Sequence, residues 1–499
     1  MFNNAVANFI GKFWGLFSVF IFVPLYIEIL GFESYSFISF TLVISSIVAI
    51  LDMGLSATLS RELARSDRNL EQKQNVFKTL ESIYVIVFGC LVFVLVAFSG
   101  FIAEEWLNVE TAQLSDRKTY VLIVSFEVGL LLVCRLYLGG LYGLEKHVSA
   151  NVLQVGWGIV HNGLVVIAIS IKPDLMVFFV WQLFSTILYV ILLKNRLNKE
   201  LLIAFSESIK FRIDKREISS VWKFSLGMMM ISFIAFLNTQ LDKISISKLL
   251  PLEELGYYTL AVSFSMVIVA VVSPIATTIL PRVTFLFSDS RMDEAIALFD
   301  KINTVTIYFV FSLMWNIVFY STDLVWMWTG NSAIALKVGV LLPVVVVSYS
   351  MLAITMLPYT IAIANGNTRL NNILGIVSLI VTVPGYWIVV GRYGAIGAAI
   401  LYCAVQSTLA IVYYFYINRI YLTGNFSTLF LKKILTPFVC TMVLAYCFSL
   451  LVNLDSNHRV VVFLVVLCSF LFTLIFSILP VLSKHEVVGI RKYLSSMRN

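Results

Sequence analysis

The sequence predicts an all-α polytopic membrane protein. Two observations support this class: the composition and the length of the apolar runs. The 499 residues are 60% hydrophobic and only 13% charged, and the mean hydropathy is +0.94. A water-soluble surface could not carry so little charge. The apolar runs are about the 20 residues that a helix needs to cross a bilayer, whereas barrel strands are about ten residues long and alternate in polarity. These runs therefore predict helices.

By this length rule we count fourteen transmembrane spans along the chain. They cover residues 6–27, 35–59, 79–101, 119–142, 149–170, 175–193, 222–248, 257–280, 302–320, 338–364, 372–390, 394–417, 434–453 and 460–482. The longest polar interval, from Lys194 to Ser220, is too short for a soluble enzyme domain. The N-terminus lacks the charged segment of a cleavable signal peptide, so we expect the first span to be retained.

The loops between the spans differ strongly in their content of Lys and Arg. Alternate loops and both termini hold 24 of these residues on one side, against 6 on the other. Because cytoplasmic loops of membrane proteins are enriched in basic residues, both termini are expected in the cytoplasm. The formal charge of +7 is spread over many loops beside lipid headgroups, which argues against a nucleic-acid partner.

Two pairs of segments indicate an internal duplication. Residues 33–61 align with residues 254–282 at an offset of 221, and residues 141–146 resemble residues 364–369 at an offset of 223. Six spans per repeat is an even number, so the two repeats have the same orientation and enclose a central cavity, as in transporters. A packed bundle without transport is the alternative.

This duplication predicts four regions. They are an N-terminal six-helix repeat (1–200), a cytoplasmic linker (201–220), a second six-helix repeat (221–418), and two extra helices with a cytoplasmic tail (419–499).

Ionisable residues inside the spans are costly and tend to mark substrate or ion paths. They are Lys12, Asp52, Glu127, Arg135, His161, Lys223, Asp242, Lys243 and Lys248. Lys12, Asp52 and Arg135 lie at a similar depth, about 10 Å from the cytoplasmic ends of their spans. They are expected to form a cationic cluster with Asp52 as the charge partner. The alternatives are that the two bases extend to the interface, and that Asp52 forms a structural ion pair with Arg135 or a helix-end contact.

Glu127 and His161 lie near the middle of their spans and are candidates for ion coupling, because an ionisable group at a cavity wall can titrate during alternating access. A hydrogen bond between helices is the alternative for His161. Asp242 is a third candidate, although with Lys243 it could equally form an exposed pair near the periplasmic end. Pro24, Pro274, Pro343, Pro358 and Pro384 are expected to kink or break their helices.

Several function classes are disfavoured by the residue content. The chain has only four His and six Cys, and all six Cys lie within apolar runs, so the sequence predicts neither a dedicated metal site nor a disulfide framework. There is no GxxxxGK[ST] loop for a nucleotide. We therefore predict no cofactor, no metal and no catalytic residues.

Three stretches, in this order and spacing, resemble those of the Wzx-type O-antigen flippases, the polysaccharide transporter branch of the MATE-like (MOP) exporter superfamily. They are Leu51-Asp-Met-Gly-Leu-Ser-Ala-Thr-Leu-Ser-Arg61; Thr239-Gln-Leu-Asp-Lys243 leading to Glu254-Leu-Gly-Tyr-Tyr258 and Leu280-Pro-Arg282; and Asn365-Gly-Asn-Thr-Arg369 followed by Tyr393-Gly-Ala-Ile-Gly397.

This resemblance implies a carrier in the bacterial inner membrane that moves an undecaprenyl-pyrophosphate-linked oligosaccharide to the periplasmic leaflet. Without a nucleotide motif, uphill transport must draw on a gradient of H+ or Na+ or on consumption of the cargo at the far side. The expected partners are membrane lipids, a polysaccharide polymerase and a chain-length regulator. A pyrophosphate needs cations. The expected cations are Lys12 and Arg135, together with Arg61, Arg282 and Arg369 at the cytoplasmic mouth.

Two other functions compete with this interpretation. A MATE-like exporter of organic cations or another amphiphile would share the architecture but should have a net acidic cavity, whereas bases outnumber acids among the intramembrane residues. A polysaccharide polymerase or ligase should have a large periplasmic loop, and the largest external loop here, about residues 102–118, is short.

Overall fold

The computed structural model describes nine stretches of the chain, and every regular element in them is helical. These stretches are residues 2–46, 51–52, 54–107, 116–204, 211, 213–365, 368–422, 430–452 and 458–479. The all-α prediction is therefore confirmed.

The helices of the first part of the chain follow one another with short connections. They are α1 (Phe2–Leu30), α2 (Phe32–Ser46), α3 (Leu55–Ala64), α4 (Leu70–Ala97), α5 (Arg117–Gly143), α6 (His147–Ile171) and α7 (Leu175–Glu200). Two π-helical turns occur here, at Phe101–Trp106 after α4 and at Ile159–Leu164 inside α6.

The remaining helices are longer on average. They are α8 (Lys215–Leu249), α9 (Leu252–Ser288), α10 (Met292–Phe319), α11 (Ser321–Thr329), α12 (Ser332–Ala364), α13 (Thr368–Ile417), α14 (Thr436–Leu451) and α15 (Arg459–Ile478). The run assigned to α13 is kinked at Gly394, where φ is 66° and ψ is −156°, so it is two helices joined by a glycine that adopts a backbone conformation disfavoured for other residues.

The predicted spans and the observed helices agree closely. Each of the fourteen apolar runs falls largely within helical residues. In the described part of the chain, ten helices are long and apolar enough to cross a membrane by length and composition, with the kinked α13 region taken as one. The protein is a multi-pass membrane protein.

One part of the expectation about helix interruptions needs correction. The helices continue through Pro24, Pro274, Pro343, Pro358 and Pro384, so these prolines do not break them, and the expected kinks stay a prediction. The second predicted span is interrupted instead just before α3, where Asp52 and Gly54 lie in a turn and the φ of Gly54 is 63°. Glycine adopts a positive φ at little cost, which permits the turn just before α3.

The chain forms two compact units. The first contains residues 1–259 and 375–398, and the second contains residues 260–374 and 399–499. This division follows contacts within the fold, whereas the predicted boundaries follow the duplication in the sequence, and the duplication stays a prediction.

Each unit has its own packing. In the first, α5 packs against α3, α4 and α7, so it lies at the centre of this helix bundle. In the second, α10 packs against α12, α14 and α15. A buried apolar cluster in the second unit joins α9, α10 and α12 through Val283, Leu286, Phe299 and Leu357.

Candidate functional site

Asp52 lies in the interrupted region just before α3. Its backbone carbonyl accepts a hydrogen bond from Leu55 N (2.8 Å) and so leads into the helix. Its side chain is buried, and each carboxylate oxygen has a hydroxyl donor: Tyr84 OH donates to Oδ1, and Ser56 Oγ donates to Oδ2 (2.7 Å). These bonds stabilise a charge that would otherwise be costly at this depth.

The contact between α3 and α5 fixes where Arg135 lies relative to Asp52. Gly139 packs against Ser56, since a Cβ at Gly139 would lie 2.5 Å from Ser56 O, and Gly143 packs against Ser60 in the same way. Both helices advance by four residues between these contacts, so they run parallel. Arg135 lies about one turn before Gly139 on α5, towards the end of α3 that Asp52 precedes.

Arg135 is exposed along the interior of α5. Its charge acts on the Tyr84 hydroxyl, which hydrogen-bonds Asp52. Among the described residues, however, it forms no ion pair. Within the described side chains, two hydroxyl groups thus take the place of the predicted cation partner of Asp52. The side chain of Lys12 lies outside the described part of the structure.

The other predicted cations are Arg61 near the end of α3, Arg282 in α9 and Arg369 at the start of α13. All three side chains are exposed. The Arg282 guanidinium lies 5.6 Å from the centroid of the Phe285 ring. Arg61 belongs to the first unit, as does Arg135, whereas Arg282 and Arg369 belong to the second. Their joint action on one headgroup stays a prediction.

Glu127 and His161, which the sequence placed near mid-span on separate helices, come together in the first unit. His161 Nε2 lies 3.7 Å from Glu127 Oε1, and both side chains are about nine-tenths buried. His161 Nδ1 lies 2.8 Å from Ser185 Oγ on α7, which is the hydrogen bond between helices that was the alternative for this residue. His161 occupies the π-helical turn of α6, a type of turn that is frequent at functional sites.

Aromatic and polar side chains of α6 and α7 surround this pair. The Trp157 ring lies 4.4 Å from the His161 ring and stacks on Tyr189 at 4.8 Å, measured between ring centroids. Several buried polar atoms here have no hydrogen-bond partner among the described residues: Trp157 Nε1, Gln182 Oε1, Thr186 Oγ1 and Tyr189 OH.

Asp242 and Lys243 are buried in α8, 3% and 9% exposed respectively, so the exposed pair considered from the sequence is wrong. Asp242 Oδ2 accepts a hydrogen bond from Tyr258 OH (2.8 Å), and Lys243 Nζ lies 3.4 Å from Oδ1. Lys243 Nζ also donates to Thr239 O at 2.8 Å. Asp242 is therefore neutralised locally, unlike Arg135.

A charged network joins the end of α3 to the start of α8. Arg68 bridges the buried Glu62 (2.8 Å) and Glu217 (2.9 Å). In the exposed turn beside it, Arg65 donates two hydrogen bonds to Asp67 and holds the pKa of that carboxyl at about 2. Asp67 consequently stays charged at every physiological pH.

Sequence reasoning missed the neutral partners of these sites. Ser56 follows Asp52 by one helical turn and could have been found from that spacing, whereas Tyr84, Ser185 and Trp157 lie on other helices and depend on packing. No group of three or more His, Cys, Asp or Glu side chains in the described part of the chain is arranged to hold a metal ion.

Comparisons with known proteins agree with the predicted resemblance. Residues 2–287 match a family described as "Polysaccharide biosynthesis protein". None of the curated proteins compared with this sequence matches it.

Similar solved structures include the lipid II flippase MurJ in an inward closed conformation, with a TM-score of 0.76 and 14% identity, covering 96% of this chain and 100% of that one. Another is an inward-facing multidrug resistance MATE transporter of the MOP superfamily, with a TM-score of 0.64 and 14% identity, covering 85% and 96%. A third is a MOP superfamily transporter from Pyrococcus furiosus, with a TM-score of 0.57 and 14% identity, covering 83% and 94%. At these identities the likeness shows a shared fold.

Proposed function

We propose, since the chain belongs to the polysaccharide biosynthesis protein family, that it is a flippase for an undecaprenyl-pyrophosphate-linked oligosaccharide such as an O-antigen repeat unit. The cargo moves from the cytoplasmic to the periplasmic leaflet of the bacterial inner membrane by alternating access. Membrane lipids surround the carrier, and an ion gradient drives the uphill step. The family membership and the MurJ- and MATE-like fold support transport of this kind.

The observation that carries the proposal is that Arg135, inside an apolar helix, forms no ion pair among the described residues. An arginine in the interior of an apolar helix is expensive unless it is paired or serves a ligand. Asp52 is already held by Tyr84 and Ser56, and no described carboxylate forms an ion pair with Arg135, so we take its guanidinium as available for a ligand. Guanidinium groups bind phosphate oxygens in a bidentate way, which suits the pyrophosphate of the cargo.

In this mechanism, Asp52 positions Arg135 electrostatically while its own charge is stabilised by the two hydroxyls. Lys12, Arg61, Arg282 and Arg369 extend the positive field along the path of the headgroup, which lowers the cost of moving a pyrophosphate through a low-dielectric region. Glu127, His161 and Asp242 are the candidates for ion coupling. The family resemblance further supports a polysaccharide polymerase and chain-length regulator as downstream partners.

The test is substitution of Arg135 in vesicles that contain the purified protein and a fluorescent lipid-linked oligosaccharide. Arg135→Ala should slow flipping roughly ten- to a hundredfold, which corresponds to about 1.4–2.8 kcal/mol of lost phosphate interaction. Arg135→Lys should retain part of the rate, because charge remains while bidentate geometry is lost. Arg392→Ala removes an exposed arginine elsewhere and serves as the matched control.

Normal flipping by Arg135→Ala at equal protein abundance would contradict the proposed role. Wild-type vesicles that move an organic cation but not the lipid-linked oligosaccharide would instead favour the MATE-like exporter.

A further inference from the structure

The hydrogen bonds of Ser185 decide which nitrogen of His161 carries a proton. A serine hydroxyl has one hydrogen, and Ser185 Oγ donates it to Gln182 O at 2.8 Å. Towards His161 Nδ1, also at 2.8 Å, Ser185 must therefore accept. Nδ1 carries the proton, and in a neutral imidazole Nε2 then presents a lone pair.

That lone pair faces the carboxyl group of Glu127. Nε2 and Oε1 are 3.7 Å apart, which is beyond hydrogen-bond distance. With an ionised Glu127 and a neutral His161, two acceptors would face each other in a buried region, and this is unfavourable. A single proton placed between them converts the repulsive contact into a hydrogen bond.

We propose that the Glu127–His161 pair is the binding site for the coupling ion and that this ion is a proton. The inference rests on the proposed flippase function and deepens it. In the unloaded state the pair is a carboxylate and a neutral imidazole with a net charge of −1. Binding one proton gives a net charge of zero, with the proton shared between Oε1 and Nε2, and no other bond forms or breaks.

The chemistry of the pair favours a proton over Na+. Hard cations bind best to sets of carboxylate, carbonyl and water oxygens, whereas an imidazole nitrogen suits softer metals. A carboxyl and an imidazole share a proton readily, since both titrate within an accessible range. The indole of Trp157, which stands against the imidazole, contributes an N–H donor and no oxygen ligand.

The helices packed around the Glu127–His161 pair bring no other carboxyl group towards it among the described residues. From α1, Tyr26 OH donates to Asn162 O (2.7 Å), and from α7 comes the Tyr189 hydroxyl. Cys134 and Arg135 follow Glu127 by about two turns of α5. On the α4 side, the residues packed at Gly129 are the apolar Phe88 and Val92.

A route for the proton is available along α7. Gln182, Thr186 and Tyr189 lie on one face of this helix and each has a buried oxygen without a hydrogen-bond partner among the described residues. Such atoms are positions at which ordered water completes hydrogen bonds, and a chain of water and hydroxyls conducts protons.

Proton binding should also move α6. A charge-assisted N–H···O bond is about 2.7–2.9 Å long, so loading draws the two side chains together by somewhat less than ~1 Å. His161 lies in a π-helical turn, where the backbone register can shift more easily than in a regular helix. The bound proton is thereby linked to the position of α6, which also packs against α1.

The first experiment measures proton binding without cargo, through the fluorescence of Trp157 in the purified full-length chain. A protonated imidazole quenches an adjacent indole, so emission should fall as the pH is lowered from 9 to 5. His161→Gln and Trp157→Phe should each abolish this change, and Glu127→Gln should move its midpoint to lower pH by about one unit or more. His147→Gln, on the same helix, is the matched control and should leave the change intact. A pH-dependent signal that survives in His161→Gln overturns the proposal.

The second experiment uses vesicles and separates this inference from the flippase function. Flipping should be accelerated by an imposed pH gradient and unaffected by a Na+ gradient. Glu127→Gln and His161→Gln should lose the acceleration, whereas Glu104→Gln, an exposed acid, should keep it. Flipping that responds only to Na+ overturns the proton site while leaving the flippase function standing. Absence of flipping by the wild type under all gradients contradicts the flippase function, and the fluorescence titration still decides the proton site.

Discussion

At the scale of single residues, hydroxyl groups bind the buried carboxylates of Asp52 and Asp242. Tyr84 and Ser56 bind Asp52, whereas Tyr258 binds Asp242 together with the adjacent Lys243 ammonium group. Hydroxyl donors stabilise a carboxylate without cancelling its charge, so Asp52 can still act on a neighbouring cation. In a salt bridge, by contrast, the two opposite charges would neutralise each other.

The hydroxyl of Tyr84 should therefore matter for stability as well as transport. Tyr84→Phe leaves one Asp52 oxygen without a donor and should lower the free energy of unfolding by about 1–3 kcal/mol. Thermal or denaturant unfolding in detergent measures this. Tyr446→Phe, at an exposed tyrosine of α14, is the control and should change stability little.

A double-mutant cycle checks that the loss comes from this contact. Asp52→Asn combined with Tyr84→Phe should cost less than the sum of the single changes, because the two residues are coupled. Additive losses would show that Tyr84 acts through packing alone.

Sequence reasoning identified the ionisable residues but not their partners. Counting residues from the ends of apolar runs places Glu127 and His161 at mid-span, and helix length alone suffices for that. The count carries no information about rotation around the helix axis. It therefore could not show that these two side chains approach to 3.7 Å, or that Ser185 orients the imidazole.

At the scale of elements, hydrophobic runs predicted the helices well because the bilayer sets a minimum length. Interruptions were harder to predict. The prolines lie within continuous helices, while the chain turns at Gly54 and kinks at Gly394, both with positive φ. A proline in a membrane helix can be accommodated by neighbours, whereas a left-handed residue ends the regular hydrogen-bond pattern.

The close packing of α3 on α5 depends on glycine and yields a prediction at this scale. A Cβ at Gly139 would meet Ser56 O at 2.5 Å, a contact with backbone that cannot rotate away. Gly139→Ala should therefore separate the two helices and cost about 1–3 kcal/mol of stability. It should also slow flipping, because moving α3 away from α5 changes the distance between Asp52 and Arg135.

Gly156 in α6 offers the matched comparison. No atom lies within 4 Å of a Cβ placed there, so Gly156→Ala should be neutral or stabilising by up to ~1 kcal/mol through helix propensity. If Gly139→Ala were as stable as Gly156→Ala, the α3–α5 contact would not constrain Arg135.

At the scale of the whole molecule, the sequence predicted a polysaccharide transporter family and the all-α class. Residues 2–287 match the polysaccharide biosynthesis protein family, and every described regular element is helical. The division into compact units was not predicted. Residues 221–259 belong to the predicted second repeat but pack with the first unit, through contacts such as that of Thr58 Oγ1 with Ser225 Oγ at 2.8 Å. A duplication is visible as similarity between two sequence segments, whereas the compact units are defined by which helices pack together.

The orientation in the membrane follows from charge alone and can be tested on the complete chain. The split of 24 basic residues against 6 puts the turn after α3 in the cytoplasm and the turn between α6 and α7 in the periplasm. In a variant without its six native cysteines, Ser66→Cys and Lys172→Cys place single exposed thiols in these two turns. A membrane-impermeant thiol reagent applied to intact spheroplasts should label Lys172→Cys and spare Ser66→Cys until the membrane is opened. The reverse pattern would put Arg61 at the periplasmic face, where it could not assist a cargo that arrives from the cytoplasm.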